Sequence, residues 1–132
     1  MNFSFSFFDV KNKVYKIEDF INLVKEKKER LPNYDFEYCY AVYAKNDNVE
    51  IHDEVFIGNS IDFDENDNEV YPEFVITNGF HYFCSDQNIQ DVVDLAVRQD
   101  ADVSNEKLID ALNYYIDNDD IVYIHSYIYE NV

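Results

Sequence analysis

The sequence predicts an α+β fold: one domain over residues 1–132, with an antiparallel or mixed sheet and about three helices. Three observations carry this. Apolar and aromatic residues run in alternating or β-rich stretches through much of residues 3–84, then recur at helical spacing from Ile89 onward. The chain is 132 residues long, 47% hydrophobic and 17% aromatic, which suits one packed core rather than an acidic tail. Only 2 glycines and 2 prolines occur, too few for a loop-built scaffold.

The elements follow in order. Phe3, Phe5 and Phe7 alternate with Ser4 and Ser6, the period of a half-buried strand. Ile17, Phe20, Ile21 and Val24, with charged positions on to Arg30, predict a helix of about three turns that Pro32 stops. The basic stretch Lys25 to Arg30 reads as its wet end, with cations complementing the C-terminal dipole. Residues 36–44 are aromatic and β-rich and predict a central strand. Asn46-Asp47-Asn48 is a turn, Val49 to Ile57 the returning strand, and Gly58-Asn59 its close. After an acidic loop, 73–77 and 80–84 read as short strands joined at Asn78-Gly79. Ile89, Val92, Val93, Ala96 and Val97 predict a helix capped by Ser85 or Asp86. Leu108, Ala111, Leu112, Tyr115 and Ile116 predict another, capped by Ser104 and broken at Asp117-Asn118-Asp119-Asp120. Ile121 to Tyr129 reads as a last strand.

Charge narrows the partners. The formal net charge is −18. Residues 1–30 carry seven bases and five acids, whereas 31–132 carry three bases against 23 acids. Such a surface is repelled by phosphate backbones and anionic leaflets, so direct nucleic-acid and membrane binding are disfavoured and a basic protein is favoured. The start of the chain lacks a positive region, a long apolar stretch and a cleavage site, and no run is long enough to span a membrane. A cytoplasmic protein is expected, with Cys39 and Cys84 as buried thiols.

Motifs for chemistry are weak. Asp62, Asp64, Asn66 and Glu73 fall at positions 1, 3, 5 and 12 of a calcium loop. Position 6 is Asp67 instead of glycine, position 8 is Glu69, and Pro72 opposes an exiting helix. His52, His81 and His125 sit in predicted strands without metal-ligand spacing. Cys39 has no local signature of a nucleophile, no GxSxG elbow is present, and Gly58 and Gly79 alone cannot build a phosphate loop. No catalytic residue, metal or cofactor is therefore assigned, and the chain is expected not to be an enzyme. Tyrosine is abundant, 12 of 132, with groups at Tyr34, Tyr38, Tyr40 and Tyr43 and at Tyr114, Tyr115, Tyr123, Tyr127 and Tyr129. These serve either sheet packing or a binding face.

The segment Asn88-Ile89-Gln90-Asp91-Val92-Val93, then Gln99, Leu108-Ile109-Asp110-Ala111-Leu112-Asn113-Tyr114-Tyr115 and Asp117-Asn118-Asp119, is similar to the C-terminal part of a family of small bacterial proteins. In size, acidity and α+β character the chain resembles immunity proteins of bacterial contact-dependent growth inhibition and related polymorphic toxin systems. The resemblance implies a protein that binds and neutralises the C-terminal domain of a cognate toxin in the cytoplasm. That toxin would be a cationic nuclease. The alternatives are a nucleic-acid mimic that inhibits another DNA-binding protein, and a calcium-binding module built on residues 62–73. The expected partner contacts are Asp62, Asp64, Glu65, Asp67 and Glu69, then Asp117, Asp119 and Asp120, with Tyr127 and Tyr129 as aromatic anchors.

Overall fold

The computed structural model describes residues 9–30 and 38–118. The strand around Phe3–Phe7, the final strand 121–129, and residues Asp119, Asp120, His125, Tyr127 and Tyr129 lie outside the described residues.

The α+β expectation holds. Four strands, β1 (Lys13–Lys16), β2 (Ala41–Ala44), β3 (Glu54–Gly58) and β6 (His81–Ser85), form an antiparallel sheet in the order β1-β3-β2-β6. Two further strands, β4 (Asp62–Phe63) and β5 (Glu69–Val70), pair as a small antiparallel ribbon. The helices are α1 (Ile17–Lys25), α2 (Glu73–Thr77), α3 (Asp86–Gln99) and α4 (Asn105–Asn118).

Alternation along the strands gives the sheet two apolar faces. Val42, Ala44, Val55 and Ile57 pack with Ile17, Phe20, Ile21 and Val24 of α1, with Ile89, Val92, Val93 and Ala96 of α3, and with Leu108, Ile109, Ala111 and Leu112 of α4. Ala41, Tyr43 and Phe56 point the other way and pack with Val75 and Phe80. Three helices thus cover one face, and the chain between β3 and β6 covers the other. β2 and β6 carry a register shift at Val42/Tyr43, where Tyr82 and Cys84 oppose neighbouring residues and Phe83 is the extra one. The bulge turns both Phe83 and Cys84 into the larger core.

Helix ends explain where the sequence reading shifts. α3 starts as expected, with Ser85 and Asn88 closing a reciprocal capping box. Ser104 Oγ accepts the N–H of Lys107 at 3.2 Å and caps α4. α1 is shorter than expected and ends at Lys25. Lys28 N–H donates to the Leu23 carbonyl and Lys27 N–H to that of Val24, a Schellman closure with Lys27 at φ 59°. Glycine normally fills that left-handed position because a side chain there is strained. Lys27→Gly is therefore expected to stabilise the protein by about 1 kcal/mol in urea unfolding.

Two strand expectations are corrected. Residues 73–77 form α2, not a strand. Pro72 starts it by leaving its carbonyl to the N–H groups of Val75 and Ile76, and Gly79, at φ 74°, stops it. Phe80 N–H returns to the Val75 carbonyl at 3.0 Å, so Asn78-Gly79 ends a helix instead of turning a hairpin. The returning strand begins at Glu54, not Val49. Val49 is bracketed by the Asn113 side chain of α4, which accepts its N–H at 3.0 Å and donates to its carbonyl at 2.8 Å. Glu50 and Asp53 close a turn on each other in the same stretch. Cys84 is buried, and burial pushes its thiol pKa up. Cys39 is exposed, contrary to expectation.

Candidate interaction surface

The second face of the sheet is built from β3 outward. A Cβ at Gly58 would lie 2.6 Å from Phe56 Cε2, so glycine makes room for the Phe56 ring beside the strand end. Phe74 of α2 stacks on that ring, with centroids 4.5 Å apart and planes 21° from parallel. Phe80 tilts against both, at 6.2 Å from Phe56 and 6.0 Å from Phe74. Tyr43 lies beside them and donates its hydroxyl to the Asn59 carbonyl at 2.6 Å. Desolvation raises the pKa of that phenol to about 12.

From Gly58 the chain leaves as the β4–β5 ribbon, passes through α2, and re-enters at His81 opposite Ala44. This excursion, residues 59–80, carries Asp62, Asp64, Glu65, Asp67, Glu69 and Glu73 and no lysine or arginine. Its ribbon turns through Asp64 to Asn68. Asp67 N–H donates to the Asp64 carbonyl, and Asp67 takes φ 62°, the left-handed residue of a three-residue hairpin loop. Asp64 Oδ1 accepts the N–H groups of Asn66 at 2.8 Å and Asn68 at 2.9 Å. The Asn68 N–H, then that of Asn66, hold the Asp64 carboxyl below its usual pKa. A depressed folded value means this contribution is complete above the unfolded pKa, taken as 3.8, and is lost as pH falls through the folded one. NMR signals of the Asn66 and Asn68 amides are expected to stay in their bonded positions from neutral pH down to about pH 4, and to move only in stronger acid.

Apolar groups stand out on the same stretch. Large hydrophobics exposed among the described residues are Val14, Phe63, Val70, Phe74, Ile76 and Tyr82, and five of these six fall between residues 63 and 82. Ile76 is 69% exposed and Phe74 40%. Phe74 is held by the aromatic stack beneath it, so it is positioned before any partner arrives. A shallow concavity of about 400 Å³ lies beside the ribbon, lined by Asn59, Ile61, Asp62, Val70, Tyr71 and Pro72. Tyr71 donates its hydroxyl to Glu69 at 2.8 Å.

The structure brings Asp62, Asp64, Glu65, Asp67 and Glu69 together on this ribbon, all exposed. Asp117 is not among them. It ends α4 on the helical side and accepts the Asn48 amide at 3.1 Å. Among the described residues no three His, Cys, Asp or Glu side chains converge to hold a metal ion. His52 lies in a turn, 3.0 Å from Glu18 Oε1, and His81 opens β6 at the surface. Sequence reasoning misses Phe74 and Ile76, because 73–77 reads as a strand; the signal is Pro72-Glu73 before and Gly79 after, the punctuation of a short helix.

A second concavity of about 430 Å³ lies between the end of α1 and α3, lined by Lys25, Lys27, Asp91, Asp94, Leu95, Val97 and Arg98. Beside it Glu29, fully buried, accepts from Arg30 Nε at 2.6 Å, Gln90 Nε2 at 2.8 Å and the Tyr40 hydroxyl. Arg30 Nη1 also donates to Asp94 at 3.1 Å. Desolvation, then the Glu29 charge, pushes the Tyr40 pKa up, so the phenol stays a donor. This network ties residues 29–30 to α3 and to Tyr40, the residue before β2, and serves the fold.

A family model described as a domain of unknown function, DUF7716, matches residues 16–124. The chain belongs to that family. The match takes in the excursion as well as α1, α3 and α4. No curated protein and no solved structure matches the chain. No helix among the described residues is long and apolar enough to cross a membrane.

Proposed function

We propose that this protein is an inhibitory binding protein of the immunity type, acting in the cytoplasm on the basic C-terminal domain of a cognate toxin. The observation that carries the reading is the overlap on residues 59–82 of six carboxylates with five exposed large apolar side chains. Carboxylates steer a basic partner and raise the rate of encounter. Apolar anchors then slow its release, since desolvated aromatic and aliphatic groups hold complexes together. A nuclease is the fitting target, because a surface that attracts phosphates also attracts this one.

The apolar groups favour this reading over a nucleic-acid mimic, which needs charge alone and would dissociate at moderate salt. The calcium alternative is disfavoured by Asp64, whose carboxylate is spent on the N–H groups of its own loop.

Growth of a bacterium expressing a candidate toxin domain, the basic product of a gene adjoining that of this chain, tests the proposal. Co-expression of the wild type is expected to restore growth, and Ile76→Asp, at a largely exposed position, is expected to restore it poorly while folding normally. Equal rescue by both would remove the excursion from the interface, and no rescue by the wild type would end the immunity reading.

A further inference from the structure

The geometry points to the Phe74 ring as the seat of an arginine side chain presented by the basic partner. This rests on the reading of residues 59–82 as the partner-binding face and gives that face its recognition chemistry. Phe74 has one ring face stacked on Phe56 and two-fifths of its surface open. A cation within about 6 Å of an aromatic centroid is attracted by the negative ring face. The same aromatic cluster already holds one: Lys45 Nζ sits 5.1 Å from the centroid of Phe80, which itself tilts against Phe74 at 6.0 Å. Residues 59–80 supply six carboxylates and no base, with Glu73 beside Phe74 in sequence, so acids outnumber Lys45, the cation already held on Phe80. An incoming cation therefore meets attraction from the ring and the acids, which outweighs the repulsion of the single Lys45 ammonium. A guanidinium is favoured over an ammonium because it is planar, sheds water more readily and stacks flat on a ring. Phe74 needs no ordering on binding, since Phe56, Phe80 and the space left by Gly58 already fix it.

Tetra-arginine and tetra-lysine peptides titrated into the full chain, followed by NMR, test this. Both are expected to bind at low salt, with tetra-arginine about threefold tighter. The Phe74 ring and Ile76 methyl signals are expected to move saturably. Phe74→Leu, which keeps an apolar group on Phe56, is expected to erase the arginine preference while leaving tetra-lysine affinity within about twofold. Phe74→Tyr is expected to keep the preference and guards against a packing artefact. Equal affinity for the two peptides, a preference that survives Phe74→Leu, or saturable shifts confined to other surfaces would overturn the assignment. The two levels separate cleanly. An arginine preference at Phe74 with no binding of the candidate toxin domain discards the immunity reading alone, and toxin binding without the preference discards this inference alone.

Discussion

Glu29→Ala is expected to destabilise the protein by about 3 kcal/mol, the cost of breaking a buried charged network from one side. Glu29 is fully buried and accepts from Arg30, Gln90 and Tyr40. Removing its carboxylate leaves the Tyr40 hydroxyl and the Gln90 amide without that acceptor inside the fold, and each unmet buried donor is costly. Arg30 keeps Asp94 and is partly exposed, which holds the loss near the lower end of the range for buried pairs. Tyr40→Phe, which removes one donor and leaves the carboxylate two, is expected to cost about 1–2 kcal/mol. Urea unfolding with an unchanged slope reads both directly. A loss below about 1 kcal/mol for Glu29→Ala would mean that the network is incidental to the fold.

The second large effect concerns association. Neutralising Asp62, Glu65, Asp67 and Glu69 together, as Asn or Gln, is expected to slow binding of the proposed toxin partner by at least about tenfold at low ionic strength. Dissociation should change much less, because these side chains are exposed and act at long range. The difference from wild type should shrink as salt rises past roughly 0.15 M, where charges are screened beyond about 8 Å. Asp64 is left intact because its carboxylate organises the ribbon. Stopped-flow association at several salt concentrations checks this. An unchanged on-rate at low salt would place the steering charge elsewhere.

Much of the fold was legible where local pattern and burial agree. Ile89, Val92, Val93 and Ala96 fall on the buried stripe of α3, and Ser85 caps it as its sequence position indicates. Leu108 to Leu112 behave likewise in α4. Legibility failed where tertiary contacts decide. Val49 has the look of a strand residue, yet its backbone is claimed by Asn113, 64 positions away. Glu29 sits in a charged run that reads as solvated, and only the approach of Tyr40 and Gln90 makes it a core residue. The site was half legible. The acidic ribbon is a matter of composition, and its five carboxylates were singled out from sequence. The apolar anchors depend on α2 being a helix, which turns Phe74 onto Phe56 and leaves Ile76 outward. Asp117 lies apart from the ribbon, beside Asn48; sequence counts charge and does not say which side of the sheet carries it.

The central proposal is that a basic partner sits on the excursion, and hydrogen exchange of the chain with and without the candidate toxin domain tests it most directly. Slowed exchange across residues 59–82, centred on the β4–β5 ribbon and α2, is the expected result. Protection confined to α1, α3 and α4, with the excursion exchanging as in the unbound protein, would contradict it.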